Sequence, residues 1–117
     1  MASTEIYRYL RADKHQIALD PEGYLVDMGE WSREVAERLA EEEDIVLTEA
    51  HWEIIRVLRD FYARFEQAPA MRPLVKAVGQ ALGPEKGRSV YLMSLFPGSP
   101  AKLGARLAGL PKPANCL

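Results

Sequence analysis

The chain has a single cysteine in 117 residues, Cys116, so no internal disulfide can staple it and the disulfide scaffolds of small secreted domains are excluded. No apolar run approaches a membrane span, and Met1 to Arg11 holds no apolar stretch of signal-peptide length, so a cytoplasmic protein is expected. The common active-site motifs are missing as well: no glycine-rich phosphate loop, no HExxH, no CxxC and no GxSxG. Carboxylates abound, but none is paired with another in an apolar setting that would mark an acid/base couple. The two histidines, His15 and His51, stand far apart with no cysteine near either, which is not metal-ligand spacing. No metal and no cofactor are expected.

Acids are absent from the end of the chain. Residues 1–85 hold all 17 acids and ten of the 15 bases, a net charge of −7, whereas residues 86–117 hold Lys86, Arg88, Lys102, Arg106 and Lys112 and no Asp or Glu. An acidic body with a basic end points to steering towards an acidic partner surface or an anionic substrate. A hydrophobic fraction of 48% and a length of 117 residues are enough for one domain with a real core.

Two short β-like runs, residues 15–19 and 23–27, flank Asp20-Pro21-Glu22-Gly23, where Pro at the second position and Gly at the fourth fit a type I turn. The expectation is a hairpin made of those two runs, with His15 exposed at its outer start. From about Trp31 the pattern is helical, with Val35 and Leu39 following at steps of four, and it ends near Glu43. Its last turn carries Glu41-Glu42-Glu43-Asp44, negative charge at the negative end of the helix dipole. Thr48 can N-cap a stronger helix in which Trp52, Ile55, Leu58, Phe61 (or Tyr62) and Phe65 recur, and His51 occupies its capping-box position.

A third stripe is Met71, Leu74, Val75, Val78 and Leu82, with Pro69 or Pro73 as its first-turn residue. A fourth helix, about Arg88 to Phe96, turns Tyr91, Leu92, Leu95 and Phe96 to the core. In the fifth, Ser99 can N-cap, Pro100 fits the first position, Leu103 and Leu107 anchor, and Gly109 suits the left-handed residue after the end. The fold expected is α+β: an N-terminal β-hairpin packed on a five-helix, helix-turn-helix-like bundle with a mobile C-terminal arm. Residues 1–108 form the globular domain and 109–117 the flexible arm.

Pro111 and Pro113 forbid helix in that arm and remove backbone donors, which predicts an extended, semi-rigid, solvated segment with Gly109 as its hinge. Cys116 is the one group with covalent chemistry to offer, since a thiolate attacks a persulfide or disulfide sulfur. Beside a terminal carboxylate it has nothing of its own to favour the thiolate, and Lys112 helps only a little. Activation then comes from a partner's electropositive pocket, which describes a carrier dependent on partner enzymes for turnover.

The run Leu95-Phe96-Pro97, then Gly98 and Pro100-Ala101-Lys102, then Ala108-Gly109-Leu110-Pro111-Lys112-Pro113 with Cys116 penultimate, resembles the C-terminal signature of the DsrC/TusE family of sulfur carriers. Gly23-Tyr24-Leu25, Trp31-Ser32, Leu47-Thr48-Glu49 with His51-Trp52, Pro69-Ala70 with Arg72, and Gly83-Pro84-Glu85-Lys86-Gly87 match the family in the same order. Ala68, Pro73 and Ser99 depart from the usual pattern, which bears on local helix geometry and not on Cys116. The resemblance implies that Cys116 carries sulfur as a persulfide. It also implies that Gly109, Leu110, Pro111, Lys112 and Pro113 form the arm that meets partners, with Lys102 and Arg106 as further charge contacts. The DsrC type has a second cysteine eleven positions before the first; here that position is Ala105, as in the TusE branch.

The function this implies is sulfur relay, from an upstream donor protein to an acceptor enzyme that forms 2-thiouridine at the tRNA wobble position, with tRNA met only through the acceptor and no membrane involved. The alternative is a single-cysteine DsrC-like carrier in dissimilatory sulfur oxidation or sulfite reduction, whose acceptor is of the sulfite-reductase type. A third reading, a helix-turn-helix DNA-binding regulator, needs a basic recognition helix; the charge of −7 on the body opposes it.

Overall fold

The computed structural model describes residues 5–114. Cys116 lies outside the described residues. The elements run β1 (Arg8–Ala12), β2 (His15–Leu19), α1 (Arg33–Glu42), α2 (Glu49–Phe65), α3 (Met71–Leu82), α4 (Ser89–Leu95) and α5 (Pro100–Leu107), with a 3-10 turn at Met28–Glu30. The α+β architecture, one hairpin and five helices, is the one expected.

The strands of that hairpin are different. β2 pairs antiparallel with β1, Arg8 opposite Leu19 and Ala12 opposite His15, while the run 23–27 contributes only a bridge from Leu25 to Leu19. The connection is a two-residue turn at Asp13 and Lys14, both at positive φ (53° and 63°). Turns of this kind match the twist of the strands and are usually marked by Asn-Gly or Asp-Gly. Lysine carries no such mark. Tertiary contacts hold the turn in its place: the Asp13 amide donates to Glu34 at 2.9 Å, and the Ser32 hydroxyl donates to the Asp13 carboxylate. The Asp20–Gly23 turn forms as expected, the Gly23 amide bonding the Asp20 carbonyl at 2.9 Å. The Asp20 carboxylate also accepts from the amides of Glu22 and Tyr24, so its burial leaves it satisfied.

Ser32 caps α1, its hydroxyl accepting from the Val35 amide at 3.2 Å, so Trp31 stands before the helix and not in it. At the start of α2, His51 Nδ1 accepts from the Thr48 amide at 3.0 Å, and its Nε2 bonds the Leu95 carbonyl at 3.0 Å. With Nδ1 accepting, Nε2 carries the proton, and one neutral ring joins a helix start to the end of α4. Trp52, Ile55 and Leu58 are buried as their spacing predicts. The stripe does not hold to its end: Phe65 is 55% exposed, because a 17-residue helix outruns the core it packs on. Pro73 lies in the first turn of α3, while Pro69 is buried just before it.

The core is assembled around α5, which packs against α1, α2, α3 and α4. Its buried face of Ala101, Gly104, Ala105 and Leu107 is mostly small, which lets helix axes come close. A Cβ placed on Gly104 would lie 3.0 Å from Leu58 Cδ1. Each large side chain closed off around this helix, Leu58, Leu92, Phe96 and Leu107 among them, contributes about 1.5–3 kcal/mol of apolar burial.

Candidate functional site: the root of the C-terminal arm

Helix α5 ends in a closed motif. Gly109 has φ of 75°, its amide bonds the Arg106 carbonyl at 3.2 Å, and the Leu110 amide bonds the Ala105 carbonyl at 2.9 Å. These are the two bonds of a Schellman cap, and Leu110, 2% exposed, supplies the apolar contact that accompanies it. The next two carbonyls are met by side chains. The Trp31 indole N–H donates to Leu107 at 2.8 Å, and an Arg59 guanidinium N–H donates to Ala108 at 2.7 Å. Arg59 also lies 3.9 Å above the Trp31 ring. The negative end of the helix dipole thus faces a cation stacked on an aromatic face. Burial lowers the pKa of Arg59 from its ordinary value, and among the described residues no carboxylate pairs with it.

Beyond Leu110, the residues Pro111 to Pro113 stay against the body. Pro113 is buried, Pro111 is half-buried, and Lys112 reaches Glu22 at 2.8 Å. The expectation of a solvated segment from Gly109 onward is therefore corrected for Gly109, Leu110 and Pro113: Trp31 offers Gly109 an apolar wall, and Leu110 closes the helix cap. Lys102 and Arg106 line one shallow cleft of about 240 Å³ together with Glu22, Tyr24 and Glu43. Arg106 is tied to Glu43 at 3.0 Å with its side chain 16% exposed, so its charge is already engaged within the chain. Lys86 likewise bonds Glu53 at 2.8 Å. Three of the five bases of the tail end thus meet acids of the body. Ala105 is fully buried in α5, which places a methyl in the core at the second-thiol position.

The larger groove, about 560 Å³ between α2 and α3, includes none of the arm residues and has no cysteine, serine, threonine or histidine in its walls. Among the described residues, no three His, Cys, Asp or Glu side chains gather as metal ligands would. The sequence reading missed Trp31 and Arg59 as members of the site. Trp31 resembles the first residue of a helical repeat, and Arg59 is one of several charges on α2; nothing in either local pattern points at Gly109.

Fold and site define a class: a small α+β domain whose distinctive feature is a C-terminal arm braced at its root. The chain belongs to the DsrC-like protein family, which it matches over residues 11–117 under the description "DsrC like protein". It is 51% identical over 108 residues to "Sulfurtransferase TusE" of Pectobacterium atrosepticum, covering 92% of this chain and 99% of that one. The NMR structure of DsrC from Allochromatium vinosum superimposes with a TM-score of 0.86 at 49% identity, covering 94% and 98% of the two chains. The oxidized gamma-subunit of the dissimilatory sulfite reductase (DsrC) from Archaeoglobus fulgidus does so with 0.82 at 42% identity, covering 93% and 99%.

Proposed function

We propose that the chain is a sulfur-relay carrier that takes sulfur as a persulfide on Cys116 and passes it on for 2-thiouridine formation at the tRNA wobble position, in the cytoplasm. The observation that carries this reading is the 51% identity to a TusE sulfurtransferase across almost the whole of both chains. Ala105 supports the same branch, because with one cysteine the chain cannot close an intramolecular disulfide or trisulfide.

The chemistry balances without an oxidant. The Cys116 thiolate attacks the outer sulfur of a donor persulfide; the S–S bond of the donor breaks, the donor leaves as a thiolate, and Cys116 becomes the persulfide. The acceptor's cysteine thiolate then attacks the outer sulfur, and Cys116 leaves as its thiolate. Each transfer moves one sulfane sulfur, while the electron pair of the broken S–S bond stays on the departing thiolate. The upstream donor and the downstream thiolase are separate proteins, and tRNA is met by the thiolase. No helix among the described residues is long and apolar enough to cross a membrane.

The test is intact-protein mass spectrometry after incubation with a persulfide donor, comparing wild type with Cys116→Ser and with a thiol-reductant control. The expected result is a reductant-sensitive gain of one sulfur, about 32 Da, absent from the variant. No gain with a competent donor overturns the mechanism. A deletion strain should lose 2-thiouridine; loss of growth on sulfur compounds with 2-thiouridine intact would favour the dissimilatory alternative.

A further inference from the structure

We propose that Trp31 and Arg59 are positioning residues for the arm: they fasten its root through Leu110, so that the arm pivots beyond Leu110 and not at Gly109. Four consecutive carbonyls at the end of α5, Ala105 to Ala108, would otherwise lack partners. Each has one here: the Leu110 amide, the Gly109 amide, the Trp31 indole and the Arg59 guanidinium in turn. Gly109 is hemmed in as well, since a Cβ at that position would lie 2.3 Å from Trp31 Cδ1. A glycine bonded in a Schellman cap and pressed against an indole is a poor hinge, despite its freedom in φ.

The outer tie is weaker. Lys112 and Glu22 have side chains 42% and 57% exposed, and an ion pair of that kind contributes little and is screened by salt. A strong root and a loose outer tie leave Pro111 to Ala114 freer to move than Leu110, with the burial of Pro113 as the remaining contact that holds them. Fewer residues to order on docking means a smaller entropic cost when the segment enters a partner. What the arm carries rests on the reading of the chain as a sulfur carrier; how it is fastened does not.

The experiment is amide hydrogen exchange and ¹⁵N relaxation by NMR on the full chain in its thiol form, without a sulfur donor. The readout is the exchange rate of the Leu110 amide relative to that of Ile55 in the core of α2, a ratio that general destabilisation does not raise. Arg59→Ala and Trp31→Phe should each raise the ratio about tenfold. The double variant should fall short of the product of the two, because Phe offers Arg59 a weaker face and Ala removes the cation, so both changes act on the same stack. Arg59→Lys should restore part of the protection, keeping a charged donor without the planar face. Leu74→Ala, a core loss in α3, should not raise the ratio.

In wild type, Gly109 and Leu110 should be as rigid as α5, with order falling at Lys112. Trp31→Phe retains the ring and keeps the test open if Arg59→Ala fails to fold. An unchanged ratio in both single variants, or a Gly109 as mobile as Lys112, overturns the proposal. Persulfide loading that fails while the ratio responds as expected overturns the carrier reading and leaves this one standing. The converse pattern does the reverse.

Discussion

Gly109 shows how much one residue can owe to its surroundings. Its place just after a helical run and before Pro111 marks it as a C-terminal cap, and the positive φ bears this out. What the local sequence leaves out is Trp31, whose ring fills the space a side chain would need. Gly109→Ala must both adopt a left-handed backbone and displace the indole. A loss of roughly 1–3 kcal/mol in urea unfolding is expected, with a shifted Trp31 indole N–H resonance. A variant as stable as wild type with that resonance unmoved would show that the two do not press on each other. His51 behaves differently: its capping-box position at the start of α2 is legible, whereas its second bond, to the Leu95 carbonyl, needs α4 brought alongside.

At the scale of elements, starts and stops were legible wherever a local chemical signal exists. Thr48 and Ser99 announce helices, and Gly83, Pro97 and Gly109 close three of them. Ser32 caps α1 one residue after the start that the periodicity from Trp31 suggests, and α1 and α2 end at Glu43 and Glu66 with neither Gly nor Pro. β1 escaped notice because its turn is written Asp13-Lys14 and is secured by Glu34 and Ser32 from another element. The acidic end of α1 looks misplaced when read alone. In the fold, Glu41 meets Arg38, Glu42 meets Arg8 and Glu43 meets Arg106, so three arginines from three elements answer the run. Lys86 joins the segment before α4 to α2 through Glu53, and that hydrogen bond raises the lysine pKa above its ordinary 10.5, against a smaller opposing effect of desolvation. A raised pKa in the folded state stabilises fully below the unfolded value and is lost as pH climbs through the folded one. The stability difference between wild type and Lys86→Met should therefore be steady from neutral pH to about pH 10 and shrink above it. Urea midpoints across that range check this; a difference that already vanishes near neutrality would contradict it.

For the molecule as a whole, charge and packing decide different things. The basic tail end presents less cationic surface than its five bases suggest, because Lys86, Arg106 and Lys112 are drawn back to Glu53, Glu43 and Glu22. The chain should accordingly show no more than weak tRNA binding of its own, measured by gel shift at low salt, until the acceptor enzyme is added. Tight, salt-sensitive binding by the isolated chain would reopen direct recognition of nucleic acid. By itself the sequence determined the α+β class, the five helices, the single thiol and the family to which the chain belongs. These follow from periodicity, from capping and turn residues, and from a motif contiguous in the chain. Only the tertiary structure decided which strand pairs with β2, which arginine answers which glutamate, and that the arm is gripped by Trp31 and Arg59. Each of those depends on groups distant in sequence meeting across α5, and a local pattern holds no record of its partner's position.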